Sequence, residues 1–263
     1  MYPFEYQRAK TVSDAAAALA KTGGKLLAGG QSLVGAMKLR LANPGTIIDL
    51  SGISELKGIR REDDAVVIGA LTTHTEVAAS PVVSQAIPAL AALAEGIGDR
   101  QVRNRGTLGG SIANNDPAAD YPAGVLGLNA TVQTNRRKIA ADDFFRGMYE
   151  TALAEDEIIT AVSFPLPKKA AYAKFPQPAS RFALVGVFVA LTSGGVRVAV
   201  TGAASHVHRA TAIEDALTKS FTPDAAKAVK IAPDHLNSDL HGSAAYRAHI
   251  VSVLAARAVA AMD

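Results

Sequence analysis

Apolar and polar positions change period several times along the 263 residues, and these changes divide the chain into elements. Thr11-Val12-Ser13-Asp14 opens an Ala/Leu run that continues to Lys21. It predicts a capped helix with Ser13 as N-cap and Gly23-Gly24 as its stop. Lys25-Leu26-Leu27-Ala28 predicts a short strand feeding a glycine turn, and residues 32–41 read as a helix. Ile47-Ile48-Asp49-Leu50 and residues 65–70 are strand-like, with a turn at Asp63-Asp64. Residues 75–94 are helically spaced and broken at Pro81 and Pro88, whereas residues 102–112 are glycine-punctuated and suit a segment wrapped around a ligand. Strand character returns at 125–134 and 158–164, and Pro165-Leu166-Pro167-Lys168-Lys169 reads as a surface crossover. Beyond it, 181–192 and 195–201 predict strands. The Ala-rich stretches 225–229 and 244–261 predict helices, together a separate small α+β unit.

Composition narrows the function classes. A 49% hydrophobic and 19% charged chain is a folded globular protein with enough length for two or three subdomains. A net charge of +3 with scattered Lys and Arg gives no nucleic-acid footprint. Met1-Tyr2-Pro3-Phe4-Glu5-Tyr6 has no basic stretch leading into an apolar one, and no apolar run reaches the roughly eighteen residues of a membrane span, so the expectation is a cytoplasmic protein. The absence of cysteine removes disulfides, thiolate nucleophiles and the usual iron–sulfur ligands.

Two glycine segments carry the chemistry. Leu27-Ala28-Gly29-Gly30-Gln31-Ser32-Leu33 and Arg103-Asn104-Arg105-Gly106-Thr107-Leu108-Gly109-Gly110-Ser111 each offer backbone N–H groups on small residues, followed by a hydroxyl. Such a run can converge on an anion, and two of them suit a diphosphate. A tight turn is the alternative reading of either pair alone. No Gly-x-Gly-x-x-Gly follows a strand, and the glycine pairs are read as lacking the acidic residue about twenty positions on that binds a ribose, so the pattern is not that of a Rossmann fold. His206-Val207-His208 lacks a third metal ligand, Asp63-Asp64 and Asp142-Asp143 read as turn or cap acids, and neither Ser32 nor Ser111 sits in a nucleophile elbow. Nothing in the chain reads as a bond-breaking catalyst.

The first segment continues into Val34-Gly35-Ala36-Met37-Lys38-Leu39-Arg40-Leu41, Pro44 and Ile47-Ile48-Asp49-Leu50, and the second into Ile112-Ala113-Asn114-Asn115-Asp116-Pro117-Ala118-Ala119-Asp120-Tyr121-Pro122. At these residues the chain resembles the FAD-binding medium subunit of the molybdenum hydroxylases, the xanthine dehydrogenase and carbon monoxide dehydrogenase family, over nearly its whole length. The resemblance implies an α+β fold: a two-part FAD-binding domain of the VAO/PCMH type, residues 1–57 and 58–170, followed by a small C-terminal α+β domain, residues 171–263, with an antiparallel sheet and helices.

It further implies that the FAD diphosphate rests on amides of Gly29, Gly30, Gln31 and Ser32, flanked by Ala28 and Leu33, and on those of Thr107, Gly109, Gly110 and Ser111 from the other side. Gly69, Ala70 and Thr72 match a segment lining the cofactor, Asp120 a position that accepts its hydroxyls, and Ile97 and Ile159 apolar cofactor contacts. Lys174, in Tyr172-Ala173-Lys174-Phe175, matches the lysine at the flavin ring, and Phe182 an aromatic over it. As isolated residues, Asp120 also reads as a helix cap, the isoleucines as core and Lys174 as surface. Pro176-Gln177-Pro178-Ala179-Ser180 carries fewer basic residues than the family's segment there.

The partners implied are a large subunit holding the molybdenum cofactor and a small subunit with two [2Fe-2S] clusters, in a dimer of heterotrimers. Electrons would pass through FAD in this chain to an external acceptor. A self-contained VAO-type flavin oxidase is the alternative, although too little chain follows residue 170 for a large substrate domain. A cofactor-free assembly scaffold is another, and the intact glycine pairs weigh against it.

Overall fold

A computed structural model of the chain describes residues 1–262. Its N-terminal part sets strands Glu5–Arg8, Lys25–Leu27 and Thr46–Asp49 in one sheet with the last in the centre, both pairings parallel. Helix Val12–Thr22 crosses between the first two strands and helix Leu33–Lys38 between the second and third. The long helix is capped by Thr11, not Ser13: extended at φ −134, Thr11 accepts from the Asp14 amide through Oγ1 at 3.0 Å, which leaves Ser13 inside the first turn. Gly23 ends it at φ 59 as expected. The second helix stops at Lys38, short of the expected Leu41.

The middle part is a five-stranded antiparallel sheet in the order Ile59–Glu62, Ala65–Gly69, Ile159–Pro165, Thr131–Thr134, Lys138–Ala140. Short helices cover it, with His74–Ala79, Pro81–Ala86 and Pro88–Glu95 punctuated at the two prolines as the spacing predicts. The glycine-punctuated stretch becomes two helices, Arg100–Arg105 and Leu108–Asn114. The expected strand at 125–134 is corrected: Tyr121–Gly127 is a helix, and the strand starts at Thr131. Every residue of that helix is buried, so its apolar run shows no helical stripe and reads like a core strand.

The C-terminal part pairs Lys169–Pro176, Ala183–Thr192, Gly195–Thr201 and His208–Arg209 as an antiparallel sheet backed by helices Thr211–Lys219, Pro223–Ala228 and Ala244–Ala260. Helix Thr211–Lys219 was absent from the sequence reading; its buried Glu214 accepts two bonds from Arg209 and one from the Val198 amide. This part has its own core around Val185, Val187, Val198 and Val251, while Phe188, Ala190, Ala199 and Val207 pack into the core of the middle part. The approach is close: a Cβ on Gly127 would lie 2.7 Å from the Phe188 ring.

One buried acid ties the middle sheet's hairpin to the loop before Ile159. Glu157, 4% exposed, accepts both Nε and Nη2 of Arg137 at 2.9 Å, the Thr134 hydroxyl at 2.7 Å and the Ala154 amide at 3.0 Å. The Arg137 bond leads the donors that hold its pKa down to about 2 against burial. Because the folded pKa is below the unfolded one, the stabilisation is complete above pH ~4.5 and is lost as pH falls toward 2. Discounted for the solvent around Arg137, it is worth about 1–2 kcal/mol. Urea midpoints should therefore fall between pH 5 and 2.5 in the parent chain, and the fall should shrink in Glu157→Gln. An equal fall in both would remove Glu157 as its source.

Candidate cofactor site

The parallel sheet delivers the first glycine segment. Leu27 ends its strand beside Asp49, its register partner, so the loop 28–32 leaves the sheet next to the end of the central strand. Gly30 takes φ 74, a left-handed conformation costly for a residue with a Cβ. Among the described residues, none of the amides from Gly29 to Leu33 donates to a protein acceptor. Five consecutive N–H groups are thereby left to solvent or a ligand, the requirement for an anion nest.

The second glycine segment lies directly against the first. A Cβ on Gly29 would overlap the Arg105 carbonyl oxygen and stand 2.8 Å from Gly106 Cα, while the Gly110 Cβ position is 3.6 Å from Ala28 Cβ. The amides of this second segment are already in use. Leu108 N–H donates to Thr72 O at 3.1 Å, Gly109 N–H to Ala70 O at 2.8 Å, Gly110 N–H to Thr107 Oγ1 at 3.1 Å and Ser111 N–H to Thr107 O at 3.0 Å. Gly109 is small because it packs on Ala70, with Cβ to Cβ at 2.6 Å were it alanine. Thr107 N–H and the Ser111 hydroxyl make no protein bond among the described residues, so they are the donors this segment retains for a ligand.

Gly69, Ala70 and Thr72 support the second segment from below. Gly69 packs flush on the Leu56–Lys57 backbone, Thr72 Oγ1 exchanges 3.1 Å bonds with the Gly58 backbone, and the Ala70 and Thr72 carbonyls receive the amides just described. Ile159, 6% exposed, sits in the core of the middle part. Behind the second segment, burial pushes His74 down to about 4, and its Nδ1 and the Tyr121 hydroxyl are buried without partners.

The remaining site residues gather at the turn 96–98. Lys174 Nζ donates to Gly96 O at 3.1 Å and to Asp120 Oδ2 at 2.9 Å. The Arg181 guanidinium, next in sequence to Phe182, which is 48% exposed, reaches Gly98 O at 3.2 Å, and half-buried Ile97 packs against the core of the middle part. Burial pushes the Asp120 carboxyl up from its ordinary value, partly offset by the Lys174 charge and the Tyr172 hydroxyl. The Lys174–Asp120 pair and the Arg181 contact thus both fall on the turn 96–98, apart from the cleft beside the first glycine segment.

Sequence reasoning missed Asp49. It lines a cleft of about 370 Å³ together with Tyr6, Gly29, Gly30, Gln31 and Arg105. The Tyr6 hydroxyl donates to its Oδ2 at 2.5 Å, and Ser51 donates through N–H at 2.8 Å and through Oγ at 2.7 Å. Burial works against its ionisation, but these donors prevail and lower its pKa. This corrects the expectation that no acid follows the glycine pairs at that offset: Asp49 ends the strand after the first glycine loop, about twenty residues on, where a nucleotide-binding βαβ unit places a hydroxyl acceptor.

A βαβ unit presenting free amides beside a cleft, with a second glycine segment packed against it, is the arrangement of a protein that holds a dinucleotide. Residues 2–167 match the family model described as the FAD binding domain in molybdopterin dehydrogenase. The chain is 40% identical to the nicotine 6-hydroxylase medium subunit of Paenarthrobacter nicotinovorans over 89% of its own length and 88% of that protein's. It is 38% identical to the carbon monoxide dehydrogenase medium chain of Hydrogenophaga pseudoflava, over 97% and 96%.

The structure superposes on the Hydrogenophaga pseudoflava carbon monoxide dehydrogenase lacking the Mo-pyranopterin moiety with a TM-score of 0.90, covering 100% of this chain and 98% of that one at 38% identity. For the quinoline 2-oxidoreductase of Pseudomonas putida 86 the TM-score is 0.89, at 28% identity over 99% and 97%. The chain belongs to the family of FAD-binding medium subunits of molybdenum hydroxylases, an oxidoreductase subunit whose cofactor is FAD. The residues fit that cofactor: the five unpaired amides of the first segment meet the need of a diphosphate. No helix among the described residues is long and apolar enough to cross a membrane.

Proposed function

We propose that this chain is the electron-transfer subunit of a cytoplasmic molybdenum hydroxylase, holding FAD between the two [2Fe-2S] clusters of a small partner subunit and an external electron acceptor. A large subunit with the molybdenum cofactor oxidises the substrate, and the assembly is a dimer of heterotrimers. The run of free amides from Gly29 to Leu33 carries the reading. FAD, when bound, supplies the exchange of electron pairs and single electrons. The chain's own residues bind and orient it: the first segment and Asp49 hold its nucleotide half, Thr107 N–H and Ser111 Oγ approach the diphosphate from the opposite wall, and Asp120, Lys174, Ile97 and Phe182 surround the flavin end. A chain without cysteine leaves cluster ligation to a partner. Relatives of near-equal identity are named for nicotine hydroxylation and carbon monoxide oxidation, which supports a subunit whose sequence does not set the substrate.

Acid precipitation of the native protein is expected to release free FAD and no FMN, since FMN lacks the diphosphate. The isolated chain is expected to leave aldehydes and N-heteroaromatics unoxidised, and anaerobic substrate to bleach the flavin once the partners are present. Reduction of the flavin by such a substrate in the isolated chain would mean a self-contained oxidase instead.

A further inference from the structure

Behind the flavin end lies a group that the family comparison leaves without a role. Tyr172 Oη donates to Asp120 Oδ1 at 2.5 Å while Lys174 Nζ donates to Asp120 Oδ2 at 2.9 Å, so each carboxylate oxygen has one donor, and both donors come from one face of strand Lys169–Pro176. Space for the phenol is built into the next strand. Gly186 pairs with Lys174 in register, and a Cβ at Gly186 would overlap the Tyr172 hydroxyl and stand 2.9 Å from Thr201 Cγ2. Mid-strand glycine weakens a sheet, and here it makes room for one hydroxyl. The Tyr172 ring is steadied by Phe188, at 6.1 Å between centroids and 31°.

Resting on the function proposed above, we propose that Tyr172 is a positioning residue: its hydroxyl keeps the Asp120 carboxylate ionised and aligned, so that Lys174 meets the cofactor as half of a neutral ion pair and not as a lone cation. The Asp120 side chain is 4% exposed and that of Lys174 is 11% exposed, so solvent does little to screen either. The other titratable groups packed nearby cannot replace Tyr172. Tyr121, next in sequence, has a hydroxyl with no partner, and His74, whose ring centroid lies 5.3 Å from that of Tyr121, is held neutral by burial. A buried carboxylate that loses one of two donors shifts toward its protonated form. Once Asp120 is neutral, the charge on Lys174 is uncompensated at the cofactor.

The test uses the holoenzyme and reads the flavin midpoint potential against pH in the parent, Tyr172→Phe, Asp120→Asn and Gly186→Ala, with flavin content measured in each. With FAD retained, Asp120→Asn is expected to lie positive of the parent throughout. Tyr172→Phe should match Asp120→Asn at low pH and return to the parent curve at high pH, giving an inflection the parent lacks. Gly186→Ala keeps the phenol but displaces its hydroxyl, and should reproduce the inflection if Tyr172→Phe does not fold. Infrared titration of the Asp120 carboxyl in flavin-free protein should show protonation at a pH about one unit or more higher in Tyr172→Phe. Superimposable parent and variant curves, by potential or by infrared, would overturn the positioning role. A parent that binds no FAD would overturn the functional reading, while the infrared arm would still decide the role of Tyr172.

Discussion

Gly29→Ala is expected to strip the chain of FAD and to lower its stability by about 3 kcal/mol, the upper end of what overpacking costs when the obstacle is backbone. The new methyl would overlap the Arg105 carbonyl oxygen and sit 2.7 Å from its carbonyl carbon, and neither can rotate away as a side chain could. Relief requires the two glycine segments to part, which moves the free amides of 29–33 from Thr107 and Ser111. If that strain appeared wholly in binding, affinity would fall about a hundredfold. Gly110→Val is a milder test than Gly29→Ala. Gly110 is helical, with no positive φ to violate, and its added atoms first meet the Thr107 hydroxyl at 2.9 Å. Gly35→Ala serves as the control: it has open space around it in helix Leu33–Lys38 and should gain about 0.5–1 kcal/mol with flavin content unchanged. Flavin absorbance per chain after gel filtration, together with urea midpoints, reads both quantities. Parent-level flavin in Gly29→Ala would show that contact between the segments is dispensable.

Arg247→Met should cost about 3 kcal/mol, the order expected when buried carbonyls lose a charged donor. Arg247 is 3% exposed in helix Ala244–Ala260. Its Nη1 donates to Leu184 O at 2.7 Å and Gly202 O at 3.0 Å, and its Nη2 to Asp239 Oδ2 at 2.8 Å. Methionine fills the volume of the stem but takes a donor from the Leu184, Gly202 and Gly242 carbonyls and from Asp239 Oδ2. Lysine should restore little, because one ammonium cannot span four acceptors held by a planar fork. Urea unfolding followed by circular dichroism checks the magnitude; a loss under 1 kcal/mol in Arg247→Met would show that water replaces the guanidinium.

The parts of the fold legible in the sequence were those set by local chemistry. The Pro81 and Pro88 breaks, the Gly23 stop and the strands around 47–50 and 65–70 follow from backbone constraints a short window contains. Helix Tyr121–Gly127 escaped because burial on every side erased its period. Thr11 and Ser13 are equally good caps by composition, and the choice depends on where the chain enters from strand Glu5–Arg8. At the candidate site, the two glycine segments stand out in the sequence by their small residues and following hydroxyls, whereas Asp120 and Lys174 are singled out only by the family resemblance. Glycine spacing could not tell free amides from engaged ones, because the acceptors of Leu108 and Gly109 lie far upstream at Thr72 and Ala70. The acid expected to be missing beyond the glycine pairs is Asp49, hidden in the sequence because it sits inside the apolar strand Ile47-Ile48-Asp49-Leu50 and reads as part of that strand.

The seam between the middle and C-terminal parts bears on how the chain could be cut or recombined. The segment 117–120 is stitched to the last sheet by Gly202 N–H on Pro117 O at 2.8 Å and by the Thr201 hydroxyl on Pro117 O at 3.0 Å and on Ala119 O at 2.7 Å. The same segment ends in Asp120, whose two donors come from beyond residue 168. A fragment ending where the family match ends, at residue 167, would keep both glycine segments yet expose the face that Phe188 covers and leave Asp120 without Tyr172 or Lys174. Recombination among relatives should therefore treat residues 117–120, Tyr172, Lys174, Gly186 and Thr201 as one inherited block, and place its crossovers outside it.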